Sequence, residues 1–319
     1  MIYELDKRDS EIMKTISNNA RLSYNQIAKI THISKDSVRK RILKLEKEGV
    51  IHSYFLLLNY TKLGIFKFNI YCKLKSMKYI SKKQVKPLLK NPHISGLTWL
   101  MGEFDLELQI LATNRKKMKK ILQKTDFWKN IQDYKIVIAD EPIIYSTSPS
   151  SSNLLNKPKN MNNELSRLDK KDIKLIDLLS INSRAKIIDL AEKLSLSVDE
   201  VRYRIKKMIN QEIIQGFYVR TARSTLGKSR YLILLNIKNS ITQKEIDYLK
   251  NTKNIYYLKK CHGACNYLLR FYTNSNEELI NTINNIKDAL SENLQEIRIH
   301  TIIDIMKFNP SPKLLLLKK

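Results

Sequence analysis

The chain has 319 residues, 43% of them hydrophobic, with only 7 glycines and 7 prolines. That composition excludes a disordered or collagenous chain and fits two to four packed domains. A formal charge of +27 exceeds what solubility requires and predicts a polyanionic partner, of which nucleic acid is the commonest. No segment has the length of a membrane span, the first residues are polar and acidic, and three cysteines among many lysines predict a reducing cytoplasm with no disulfide framework.

In chain order, Asp6 is placed to cap a first helix whose apolar stripe is Ile12, Met13 and Ile16. Ser23 caps a short second helix carrying Ile27, Ala28 and Ile30, and His32-Ile33 make a tight turn. Ser34 caps a third helix running to about Glu48, with Val38, Ile42 and Leu45 at i, i+4 and i+7 facing a three-helix core. Its outer face and flanks carry Asp36, Ser37, Arg39, Lys40 and Lys47, with Lys35 in the first turn and Arg41 at the edge, and its hydroxyl, Lys and Arg donors suit a DNA major groove. Gly49 ends this helix and Val50-Ile51 begins a wing strand. Strands follow near 68–75, 94–101, 104–112 and 131–139, with helices near 80–90 and 114–124. This βαββαβ order is ferredoxin-like. Residues 146–165, rich in Ser, Asn and Pro, read as a flexible linker of roughly 25 Å span.

The pattern then repeats. From Leu5/Leu168 to Gly64/Gly227 the two halves align without a gap at a constant offset of 163 positions, with identities that include Asp6/Asp169, Asp9/Asp172, Arg21/Arg184, Arg39/Arg202 and Arg41/Arg204. Arg202, Tyr203, Arg204 and Lys206 are the second copy's DNA-contacting candidates, although Asp199 and Glu200 in the first turn of that helix would repel phosphates. Strands near 229–237, 255–261, 265–273 and 294–304, with helices near 242–250 and 276–290, complete the second half. The predicted class is therefore α+β. Its units are helix-turn-helix 1 (1–54), ferredoxin-like domain 1 (55–145), the linker, helix-turn-helix 2 (166–217), ferredoxin-like domain 2 (218–308) and a tail (309–319).

Charge is spread unevenly. The helix-turn-helix units carry +4 and +3, the ferredoxin-like domains +10 and +6. This predicts either a solvated lysine coat or DNA held along the domains by non-specific contacts. Cys261-His262-x-x-Cys265 lacks a partner pair for a metal and reads as strand ends around a turn at Gly263. Trp99, Met101 and Phe104 read as core or pocket wall. No phosphate loop, paired-carboxylate site or Ser/His/Asp arrangement is present, and no cofactor is predicted.

The shared motifs are LD-x-x-D opening the first helix, Ile33-Ser34 or Leu196-Ser197 before the third, V-R-x-R-I-x-K within it, and Leu-Gly at Leu63-Gly64 and Leu226-Gly227. In these the chain resembles the Lrp/AsnC (feast/famine) family of transcriptional regulators, in a tandem double-copy form. The resemblance implies ferredoxin-like modules that pair face to face through their sheets and bind an effector, often an amino acid. The family's loop motif falls on Gly102 and Asp105, and in the second copy on Gly263 and Asn266. Two copies in one chain imply an intramolecular pseudo-dimer reading an asymmetric operator, with further homo-oligomers built on it. Other functions compatible with the residues are a sequence-neutral architectural DNA coater and a sirohaem decarboxylase. The latter class resembles Lrp/AsnC proteins and acts through His, Tyr and Arg near this loop. Here the first loop has none of these, and the second has His262, Tyr267 and Arg270.

Overall fold

The computed structural model describes residues 3–75, 82–148, 151–154, 168–222, 226–252 and 254–312. Helices α1 (Lys7–Asn18), α2 (Tyr24–Thr31) and α3 (Lys35–Lys47) form the first head, and α6 (Lys170–Ile181), α7 (Ile187–Leu194) and α8 (Val198–Asn210) the second. Local chemistry sets these boundaries. Asp6, Ser23 and Ser34 each accept a backbone N–H of the first turn that would otherwise lack a partner, and Asp169 and Ser197 do the same in the second head. His32 and Ser195 adopt the left-handed conformation that ends α2 and α7. Ile12, Ile16, Ile27, Val38, Ile42 and Leu45 are buried, whereas Ile30 is 56% exposed, because α2 is a short helix with only Ile27 fully turned to the core.

The wing differs from expectation. Strand β1 (Ile51–Leu58) pairs antiparallel with β7 (Ile214–Thr221) of the other copy, so one ribbon is shared by both heads. The boundaries expected after residues 54 and 217 therefore fall inside strands. Both heads also share one hydrophobic core, in which Ile12 and Val38 belong to the same cluster as Ile176, Val201 and Val219. Across it the Ala20 amide donates to the Phe217 carbonyl at 2.8 Å, and the related Ser183 amide to the Tyr54 carbonyl at 3.2 Å.

The first ferredoxin-like module contains β2 (Phe66–Leu74), α4 (Lys82–Lys90), β3 (Ile94–Met101), β4 (Leu106–Ala112), α5 (Arg115–Gln123) and β5 (Ile131–Ser148). The second contains β8 (Ser229–Ile237), α9 (Gln243–Asn251), β9 (Ile255–Gly263), β10 (Tyr267–Thr273), α10 (Asn276–Leu290) and β11 (Leu294–Phe308). The two sheets do more than face each other. Strand β11 pairs with β3, β5 pairs with β9, and β2–β5 closes the ring β2-β4-β3-β11-β8-β10-β9-β5. An eight-stranded antiparallel barrel results, with no module edge left open along these seams. Its outer faces pack under the helices, around Phe68, Leu108 and Met118 in one half and Ile233, Leu269 and Ile286 in the other. Its interior is filled at one end by Tyr71, Leu100, Phe104, Leu232, Leu234 and Leu268 from both modules.

Part of the expected linker lies in strands. β5 runs on to Ser148, and β6 (Ser151–Leu154) folds back antiparallel on it, pairing Ile144 with Leu154. Backbone groups of β5 beyond the barrel find partners there. Linker positions 149–150 and 155–165 lie outside the described residues. The tail docks at its start. Tyr60 Oη donates to the Pro310 carbonyl at 2.6 Å and Ser311 Oγ to Asp177 at 2.8 Å, tying barrel to heads. No helix of the described residues is long and apolar enough to cross a membrane.

Candidate nucleic-acid interface

On α3, Lys35, Arg39, Lys40 and Lys47 are exposed on the face opposite buried Val38, Ile42 and Leu45, while Ser37 is half-buried behind the Ser34 cap. The helix thus presents cations from both ends of one surface. Arg41 is not among them. Its Nη1 donates to Asp6 at 2.6 Å and to the buried Asp9 at 2.7 Å. It therefore clamps α3 to the start of α1 and is removed from the DNA-contacting set. The Asp9 amide and then Arg41 hold the Asp6 carboxyl below its ordinary value, and the two aspartates hold Arg41 above its own.

Helix α8 repeats the clamp. Arg204 Nη1 reaches Asp169 at 2.7 Å and the buried Asp172 at 2.6 Å, so Arg204 also leaves the DNA-contacting set for a structural one. Arg202, Tyr203 and Lys206 are exposed, Tyr203 by 67%. Arg202 is engaged by Asp199 at 2.9 Å. That exposed pair is weak, yet it places a carboxylate beside the cation that would meet a phosphate. Helices α3 and α8 are thus alike in framework and unlike in charge.

Motif reading did not single out a second pair of arginines. Arg21 Nη1 donates to the Ser183 carbonyl at 2.6 Å, and the related Arg184 donates to the Ala20 carbonyl. Arg21 also lies over the Phe217 ring and Arg184 over Tyr24. Each guanidinium fastens one head to the other. Burial, and then the nearby Arg184, push the Arg21 pKa down. The available signal was the identity of these two positions between copies.

Of the four loop positions expected to hold an effector, Asp105 and Asn266 brace strands within their own modules, and Gly102 and Gly263 lie against the opposite module. Asp105 accepts the Leu74 amide at 2.8 Å. Asn266 makes the matching bonds, accepting from the Ile237 amide at 3.0 Å and donating to its carbonyl at 2.7 Å. Gly102 and Gly263 have φ of +151° and +119°, and a Cβ on Gly263 would stand 2.3 Å from the Ile136 carbonyl oxygen. These glycines allow strands of opposite modules to approach closely.

One ion pair within the barrel had no signal in the sequence. Glu107, fully buried on β4, accepts two bonds from Arg270 Nη2 on β10, at 2.9 and 2.7 Å. Burial alone would push the carboxyl up, but Arg270 outweighs it and holds Glu107 below its ordinary value. Of the aromatic cluster, Phe104 is buried and Trp99 half-buried. Met101 is 61% exposed, because it ends β3 with its side chain outside the barrel core. Cys261 and Cys265 are buried in the barrel core, and His262 turns away from them to Asp140 at 3.0 Å.

Comparison with known proteins supports the heads and the overall arrangement separately. Residues 5–52 match the winged helix-turn-helix DNA-binding family, and residues 168–209 the AsnC-type helix-turn-helix domain. The uncharacterised HTH-type transcriptional regulator PH0140 of Pyrococcus horikoshii is 28% identical over 122 residues, covering 38% of this chain and 77% of the relative. The HTH-type transcriptional regulator LrpA of Pyrococcus abyssi is 43% identical over 60 residues, 19% of this chain and 43% of the relative. Among solved structures, the siroheme decarboxylase NirDL superposes with a TM-score of 0.62 over 98% of both chains at 10% identity. That likeness shows the fold alone.

Proposed function

We propose that the chain is a double-copy transcriptional regulator of Lrp/AsnC type, and that one chain, as an intramolecular pseudo-dimer, reads an asymmetric DNA site with α3 as its principal reading helix. The observation that carries this is the contrast between α3, whose exposed Lys35, Arg39 and Lys40 make no ion pair with the acidic residue of their own first turn, and α8, whose Arg202 is bound by Asp199. A free cation releases counterions on meeting a phosphate, whereas a paired one must first exchange its partner. The ferredoxin-like modules hold both heads in fixed register. The exposed Arg115, Lys116, Lys117, Lys119 and Lys120 on α5 add non-specific contact with the duplex. A cytoplasmic location accords with that role.

The decarboxylase reading is not favoured by the side chains. Of its three candidate residues, His262 is paired with Asp140, Tyr267 Oη accepts the Ile241 amide, and Arg270 is held by Glu107. Each already has a partner within the chain. The test of the main reading is a gel-shift titration at fixed salt with Lys35, Arg39 and Lys40 replaced by alanine. A large loss of affinity for the preferred site with the fold intact supports α3 as reader, and unchanged affinity contradicts it.

A further inference from the structure

The barrel interior is apolar at one end only. At the other, between the open mouth and the β1–β7 ribbon above it, lies a cavity of about 190 Å³, room for about six water molecules' worth of ligand. Its roof is apolar and aromatic, with Phe55, Leu57 and Phe308; its floor is polar, with Asn69, Thr98, Gln109 and the Glu107–Arg270 pair. Four further cations line it: Lys67, Arg230 and Lys307 from the barrel, the last with its Nζ held by the Leu89 and Asn91 carbonyls, and Arg220 from the ribbon. The one carboxylate in the lining, Glu107, is already neutralised by Arg270. Two buried polar atoms of the floor, Arg270 Nε and Asn69 Oδ1, have no hydrogen-bond partner, which in a native interior calls for an explanation. Burial, and then the neighbouring Arg230, depress the Arg220 pKa, against the opposing pull of the Asp304 carboxylate.

The site belongs to one side of the pseudo-symmetry. The 163-residue offset places Leu57 where the second copy has Arg220, and strand register places Gln109 opposite the role of Arg270. A separate cavity at the β5–β9 side of the mouth is lined by Lys67, Lys259, Asp140 and His262, so its charges are mixed and it has no arginine.

We propose that the cavity under the ribbon binds a small organic carboxylate, with the anionic group on Arg220, Arg230 and Lys67 and an apolar body against Phe55 and Leu57. Bound to ribbon and barrel at once, the ligand couples barrel occupancy to the strands that lead directly into α3 and α8. This deepens the regulator reading and rests on it for its consequence, not for the binding itself. A free amino acid is disfavoured, since its ammonium would enter a lining in which cations outnumber the one carboxylate.

The test uses the full chain and isothermal titration with phenylpyruvate, L-phenylalanine and inorganic phosphate, alongside DNA gel shifts with and without phenylpyruvate. Saturable phenylpyruvate binding that weakens roughly tenfold or more in both Arg220→Leu and Arg230→Gln, each folded by circular dichroism, is the expected result, together with a shift in DNA affinity. Binding of phosphate alone, binding unchanged in both folded variants, or no binding of any probe overturns the assignment. Phenylpyruvate binding without a shift in DNA affinity overturns the coupling. DNA binding by the ligand-free chain reports on the regulator reading independently, so the two ideas fail separately.

Discussion

The paired heads and the barrel beneath them come from the same duplication but have diverged to different degrees. In the heads, related residues do the same work twice: Arg41 and Arg204 clamp the third helix to the first, and Arg21 and Arg184 fasten each head to the other. In the barrel, related positions do different work. Glu107 and Arg270 form a buried ion pair, while their counterparts by strand register, Leu268 and Gln109, do not. Two identical chains could not arrange this. A pairing of two first modules would bury Glu107 twice without Arg270, and a pairing of two second modules would bury Arg270 twice without Glu107, each strongly unfavourable. Symmetry persists where both halves face the same packing problem, and is lost where one chain can divide opposite charges between its halves.

The largest effect is expected at that divided charge. Arg270→Leu leaves Glu107 buried and unpaired, and should cost about 3–5 kcal/mol in urea unfolding, whereas Glu107→Leu with Arg270→Leu should recover most of the loss. A double variant no more stable than the single would show that the pair does not define the asymmetry. Smaller losses, about 1.5–3 kcal/mol each, are expected for Arg41→Ala and Arg204→Ala, and the two should agree closely because the geometries do. A marked inequality would break the claim that the heads are equivalent in framework. Both clamps weaken in acid. Because Asp6 and Asp169 titrate below the ordinary value of 3.8 in the folded chain, their contribution is fully present above that value and is lost as pH falls through the lowered one. The finest distinction lies between the reading helices. Removing Lys35, Arg39 and Lys40 should lower the salt slope of DNA binding by about three. Replacing Arg202 and Lys206 should lower it by less than two, because Arg202 is already paired; equal slopes per cation would erase the difference.

Much of this was legible in the sequence because it is local. Caps at Asp6, Ser23 and Ser34, the Val38-Ile42-Leu45 spacing and the βαββαβ order are written within a few residues of where they act, and β8 and α10 fall at the positions expected. The closure of the barrel was not legible, since β3–β11 and β5–β9 join strands from opposite halves. For the same reason the wing was expected within each head and is instead shared between them. Arg41 was misread on sound local grounds, because an arginine at the edge of an amphipathic helix looks like a phosphate donor. Its partners Asp6 and Asp9 lie more than thirty residues away, although the recurrence of the same trio as Asp169, Asp172 and Arg204 was a usable sign. The cavity draws its lining from both ribbon strands and strands of both modules, so no sequence motif could mark it.

The central claim is that a single chain carries two unlike reading heads on one rigid, internally paired scaffold. Selection of preferred sites from random DNA duplexes by the full chain, followed by footprinting at the selected site, tests it most directly. The predicted result is one non-palindromic site with two different half-sites, of which the half read by α3 is the more strongly constrained. A palindromic site, or no preferred sequence at all, would contradict it.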